Sequence, residues 1–76
     1  MTIYDLEEIL RIAQVNPLIY CVNGTREEAI CLLPKGFGGE WVIFIQERGR
    51  RFDEKVFSSE DEACVAFLKK VFFYVK

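Results

Sequence analysis

The side chains able to do chemistry in this chain are carboxylates, thiols and arginines, because it carries 12 Asp and Glu, 3 Cys and no His. Without histidine, the most frequent general base and the most frequent metal ligand are both missing. Three consecutive acids, Glu60-Asp61-Glu62, offer oxygen ligands to a divalent cation, yet neighbouring helix positions point apart and cannot converge as a calcium loop does. Stabilisation of a helix N-terminus explains them more simply. With Asp53 and Glu54 on the preceding strand they also form an acidic patch able to meet a basic partner. Glu47-Arg48-Gly49-Arg50-Arg51 is the one dense basic spot. It is either a solvated turn or a charge-patterned contact surface, where complementary charge sets register and encounter rate. No nucleophile–base pair and no metal set stands out, so the expectation is a protein that is not an enzyme and uses no cofactor.

Cys21, Cys31 and Cys64 are odd in number and form no C-x-x-C pair. They read as reduced thiols used as small hydrophobes. The alternative is a Cys21–Cys31 cross-strand bridge, which a first hairpin turning around Arg26 would bring into opposition. Lys35-Gly36-Phe37-Gly38-Gly39 is glycine-rich, but a phosphate loop needs a helix directly after it, and here a strand begins. A plain hairpin loop is expected.

Behind these groups stand six elements. Trp41 to Glu47 is short, apolar at nearly every position and rich in β-branched and aromatic residues, which predicts a strand inside a sheet. Its Trp41, Ile43 and Ile45 share one face, expected toward the helices, and Val42, Phe44 and Gln46 share the other. Val42 and Phe44 are therefore expected either half-exposed or covered by a partner. Arg48-Gly49-Arg50 breaks the pattern as a hairpin bend, and Phe52 to Phe57 returns. Ser58-Ser59 with Glu62 is a capping box for a helix over about Ser59 to Tyr74. That helix turns Ala63, Cys64, Phe67, Leu68 and Val71 to one side and leaves Lys69, Lys70 and Phe73 on the other, the lysine stems covering the Phe73 ring or the end fraying. Upstream, Thr2 to Gln14 carries Leu6, Ile9, Leu10 and Ala13 at helical spacing and ends at Asn16-Pro17. Leu18 to Val22 reads as a strand followed by an Asn23-Gly24 turn. Glu28 to Leu33 reads as a second strand stopped by Pro34, with a short helical turn at Arg26 to Ala29 as the alternative.

The predicted fold class is α+β: a four-stranded antiparallel meander flanked by an N-terminal and a C-terminal helix packed on one sheet face, in the order α-β-β-β-β-α. Seventy-six residues imply one domain, 1–76, and 51% hydrophobic with 14% aromatic residues supplies its core. A net charge of −2 and a pI near 5.1 provide no global basic field, so direct nucleic-acid binding is not expected. The N-terminal segment mixes charged and apolar residues, unlike a secretory signal, and cytoplasmic residence is expected. Ala63 to Val75 is apolar but interrupted by Lys69-Lys70 and too short for a bilayer, so no membrane partner is expected.

Two runs, W-V-I-F-I-Q-E-R-G from Trp41 and F-S-S-E-D-E-A-C-V-A-F-L from Phe57, with Tyr20-Cys21-Val22-Asn23-Gly24 as a weaker upstream element, carry a resemblance. Over about Tyr20 to Leu68 the chain resembles small bacterial immunity proteins encoded beside polymorphic or contact-dependent growth-inhibition toxins. The matching positions are Trp41, Glu47, Arg48, Gly49, Phe57, Glu60, Glu62, Ala63 and Cys64. The resemblance implies a cytosolic protein that binds and neutralises a cognate toxin domain, often a nuclease, without chemistry of its own. Apolar Val42 and Phe44 and the extra Phe72-Phe73-Tyr74 depart from that pattern and leave a homodimer open.

Two function classes follow. In the first, an inhibitory protein occludes the toxin domain sterically and electrostatically, with Asp53, Glu54, Glu60, Asp61 and Glu62 as contact candidates and Glu47, Arg48 and Arg50 beside them. In the second, a small dimeric regulatory or ligand-binding domain uses the open sheet face.

Overall fold

A computed structural model describes residues 1–74; Val75, the end of the apolar segment read from the sequence, lies outside them. The elements run α1 (Ile3–Ile12), β1 (Tyr20–Val22), β2 (Ala29–Lys35), β3 (Glu40–Glu47), β4 (Arg50–Phe57) and α2 (Glu60–Tyr74). The α+β class and the element order are as expected from the sequence, and one sheet has the strand order β1-β2-β3-β4.

α1 starts at a capping box, Thr2 Oγ1 accepting from Asp5 N–H while the Asp5 carboxylate accepts from Thr2 N–H. It stops at Ile12, two residues before the expected end. Gln14 takes φ 58°, its N–H bonds Arg11 O, and Val15 N–H bonds Leu10 O. This is a Schellman closure, and it explains why Val15 is buried with Leu10 beyond the helix proper. Asn16 Oδ1 then accepts from Leu18 N–H at 3.0 Å and aims the chain at β1.

The expected wholly antiparallel meander is corrected at its first pair. β1 runs parallel to β2, with Tyr20, Cys21 and Val22 beside Ile30, Cys31 and Leu32, so no hairpin turns around Arg26. A parallel return usually needs a dozen residues or more. Here β1 is so short, about 10 Å, that the 23–28 segment, reaching about 20 Å, can turn twice and re-enter beside it. Asn23 and Glu28, at φ 62° and 61°, kink the two ends of that segment. β2–β3 and β3–β4 are antiparallel. β2 also continues through Pro34 instead of ending before it. β1 pairs only as far as Leu32, so at Pro34 that side of β2 is an edge, where a missing N–H leaves no partner unsatisfied.

β3–β4 contains one irregularity. Ile45 pairs with Phe52 but Ile43 pairs with Lys55, so Asp53 and Glu54 together face Phe44, with Asp53 at φ 54°. Because side chains alternate with period two, this extra residue exchanges the faces of everything after it. Phe57 consequently lands on the helix-covered side.

Both helices lie on that side, as expected. Ile3, Leu6 and Leu10 of α1 meet Ala63, Cys64, Phe67 and Val71 of α2 over Ile30, Leu32 and Ile43, with Trp41, Ile45 and Phe57 at the margin. Phe67 has no exposed surface, and its truncation to alanine would cost about 3–5 kcal/mol.

The opposite sheet face is not open. Cys31, Val42 and Phe44 form a second buried cluster, 0%, 3% and 0% exposed, which corrects the expectation that Val42 and Phe44 await a partner or stay half-exposed. The cover comes from within the chain. The Arg51 guanidinium lies 4.2 Å from the Phe44 ring centroid, and the 23–28 segment crosses near Cys31, whose Sγ reaches Arg26 O and Ala29 O at 3.7 Å. Cys21, Cys31 and Cys64 are all free thiols, and burial pushes those of Cys31 and Cys64 up from the ordinary range.

Candidate docking surface

The eight charged residues singled out in the sequence fall into three places. Glu60, Asp61 and Glu62 open α2, and each is engaged within the chain. Glu62 N–H bonds Ser59 Oγ at 3.2 Å, the hydroxyl half of the expected capping box, and the Glu62 carboxylate accepts from the hydroxyls Ser58 Oγ at 2.8 Å and Ser59 Oγ at 3.1 Å in place of the expected backbone N–H. Glu60 Oε2 accepts from Ile3 N–H at 2.9 Å, a free donor in the first turn of α1, and Asp61 Oδ1 meets the Met1 amino group at 2.7 Å. The two helices thus begin side by side. Their like-signed positive ends would repel, and Glu60, Asp61 and Asp5 place negative charge around them.

Asp53 and Glu54 occupy the bulge. Its left-handed Asp53 turns toward α2, where Lys70 Nζ donates to Asp53 Oδ2, while Glu54 pairs with Arg51 at 3.3 Å on the other face. The Lys70 hydrogen bond and charge hold the Asp53 carboxyl below the usual carboxylate range. Lys70 is directed to Asp53, and the Phe73 ring meets Tyr74 edge-on, centroids 5.5 Å apart, with Phe73 itself 65% exposed.

Glu47, Arg48 and Arg50 sit at the β3–β4 hairpin tip and, among the described residues, enter no ion pair. The turn is two residues long, Arg48 and Gly49 at φ 52° and 75°, the positive-φ pair that matches the twist of the flanking strands. Arginine in that conformation is strained, and an outside group holds it in place. Glu27, reaching from the 23–28 segment, accepts from Gly49 N–H at 2.6 Å and Gln46 Nε2 at 2.7 Å, and Glu28 N–H bonds Gln46 O at 2.8 Å.

The same end gathers residues that the sequence reading did not select. α2 runs back antiparallel to β4, so its last turn arrives at the tip. Tyr74 lines a cleft of about 260 Å³ with Ile19, Ile30, Ile45, Glu28 and Glu47. Phe52, 46% exposed, lines the neighbouring depression with Glu47, Arg48 and Arg50. A signal for Phe52 was present in its alternation with Ile45 across the hairpin; one for Tyr74 was present in the α2 stripe, where it follows Val71 by three residues but overruns the sheet.

Among the described residues no group of three His, Cys, Asp or Glu is placed to hold a metal ion, and no helix is long and apolar enough to cross a membrane. Chemically, the tip offers exposed aromatic surface, two guanidinium groups with no ion pair among the described residues, and three carboxylates, a set suited to contact. Comparison with protein-family models, curated proteins and solved structures finds no match to this chain.

Proposed function

We propose that this chain is an inhibitory binding protein of the immunity type, which neutralises a cognate toxin domain, a nuclease by preference, through steric and electrostatic occlusion in the bacterial cytoplasm. The observation that supports it is the hairpin end, where the exposed ring of Phe52 stands beside Arg48 and Arg50 and that of Tyr74 lines the adjoining cleft with Glu47. Aromatic and arginine side chains are the groups that interface centres favour and that carry most of their energy. Glu27, Glu28 and Glu47 supply the mixed-charge rim, and the net charge of −2 acts on the rate of encounter with a basic domain, while the contact at Arg48 and Arg50 itself is made with acceptor groups of that domain. The acids of α2 and of the bulge contribute to that field but are occupied by internal partners, so the contact is assigned to the tip. Self-association through the second sheet face has no comparable support, because Phe44 and Val42 are already covered by the chain itself.

The test is growth protection. The chain is co-expressed with the toxic product of the reading frame beside its gene. Wild-type protein is expected to restore growth and to co-purify with that product, and Arg48→Glu with Arg50→Glu is expected to lose both while remaining folded. A wild-type chain that neither protects nor binds removes the proposal.

A further inference from the structure

Cys21 and Cys31 are nearest neighbours across the β1–β2 pair, one directly beside the other in register. In a parallel pair, residues in register point to the same face, and both sulfurs belong to the cluster on the second sheet face. Adjacent strands lie about 4.8 Å apart, inside the range of about 4.4–6.8 Å that a disulfide spans between Cα atoms. The two thiols differ in access. Cys21 is half-buried on the edge strand, whereas Cys31 has no exposed surface. Cys64 lies on the other side of the sheet, in the helix-covered core, and has no such neighbour.

We propose that Cys21 and Cys31 form a reversible dithiol–disulfide site, closed by hydrogen peroxide and reopened by a small-molecule thiol. The Cys21 thiolate, the accessible one, attacks a peroxide oxygen; the O–O bond breaks, hydroxide leaves and Cys21 becomes a sulfenic acid. The Cys31 sulfur then attacks the Cys21 sulfur, the S–O bond breaks, and hydroxide leaves with the Cys31 proton as water. Two thiols thus lose two electrons and two protons, and the peroxide is reduced to two waters. A bridge directly across neighbouring strands is short of slack, which belongs with the labile, exchangeable class of disulfides.

Closure reaches further than the two sulfurs. In the reduced protein the Cys31 thiol sits against Arg26 O and Ala29 O, at the two ends of the stretch that carries Glu27. Bridging removes that donor and swings the Cys21 sulfur, which packs over Gly24 so closely that an added Cβ there would lie 3.3 Å from it, away from the segment and toward Cys31. The 23–28 segment must shift, and with it Glu27, the group that holds the hairpin turn. This inference does not depend on which partner the tip binds.

The experiment is peroxide titration of the full chain, followed by thiol counting under denaturing conditions and peptide mapping. The expected result is a fall from three titratable thiols to one, a mass loss of two hydrogens, a Cys21–Cys31 peptide link and full reversal by dithiothreitol. Cys21→Ser, a change at a half-exposed site, is expected to fold and to keep its two remaining thiols under the same treatment. Three thiols persisting in the wild-type chain, a link to Cys64 or between chains, or equal thiol loss in Cys21→Ser would overturn the site. Amide exchange at Glu28 and Gly49 is expected to quicken in the bridged form and to recover on reduction; an unchanged pattern in the bridged form overturns the coupling to the hairpin.

Discussion

The two ends of the molecule use the same kinds of charge to different purposes. Where α1 and α2 begin, Asp5, Glu60, Asp61 and Glu62 all accept from donors in the chain, and the acids act as fasteners. At the hairpin end, Glu47, Arg48 and Arg50 have no ionic partner among the described residues, and exposed rings stand next to them. Exposure alone does not separate the two, since Asp61 and Glu62 are exposed as well. Occupancy by an internal partner does, and it marks the second end as the one free to meet another molecule.

The strongest way to break this contrast is charge reversal at the hairpin end. Arg48→Glu with Arg50→Glu is expected to cost about 2–4 kcal/mol of partner binding and to leave the unfolding midpoint nearly unchanged, read by calorimetric titration beside thermal melts. A large loss of stability with intact binding would invert the assignment of the two ends. Ser59→Ala is the mirror experiment. Loss of the α2 cap should lower stability by about 1 kcal/mol in urea titration without affecting binding. Glu27→Ala sharpens the picture between the ends. It frees Gly49 N–H and Gln46 Nε2, and hydrogen exchange at Gly49 should quicken while global stability falls by about 0.5–1.5 kcal/mol. The smallest effect belongs to Asp53. Its carboxyl is lowered by Lys70, so the stability it contributes is fully present above its unfolded-state pKa and is lost as pH falls through the folded one. Asp53→Asn is accordingly expected to flatten the acid limb of the stability curve only slightly, because the pair is exposed.

What the sequence disclosed was whatever depended on local periodicity. The alternation of Trp41, Ile43 and Ile45 against Val42 and Phe44 assigned the β3 faces correctly, and Ser59 with Glu62 marked the start of α2. What it hid depended on contacts between distant segments. The parallel β1 was obscured because Asn23-Gly24 has the composition of an ordinary hairpin turn, while the second reversal rests on Glu28, a residue with no preference for positive φ. The cover on Phe44 comes from Arg51, whose charge argued for solvent, not for lying on a ring. The candidate site was legible in part. Glu47, Arg48 and Arg50 remain available, but the acids weighed with them are engaged internally, and Phe52 and Tyr74 join only because α2 folds back along β4.

The extra residue at Asp53-Glu54 also decides where this chain tolerates changes of length. Removing Asp53 would bring Phe52, Glu54 and Lys55 into unbroken alternation opposite Ile45, Phe44 and Ile43, so Lys55, Val56 and Phe57 would keep their faces and the loss would be the partner of Lys70. One codon can therefore be lost there, and several in the Gly36–Gly39 connection, where the glycines meet nothing nearby and Phe37 projects fully into solvent. Insertions and tags belong at the second place, and a homologue shortened by one residue at the first keeps the same interior.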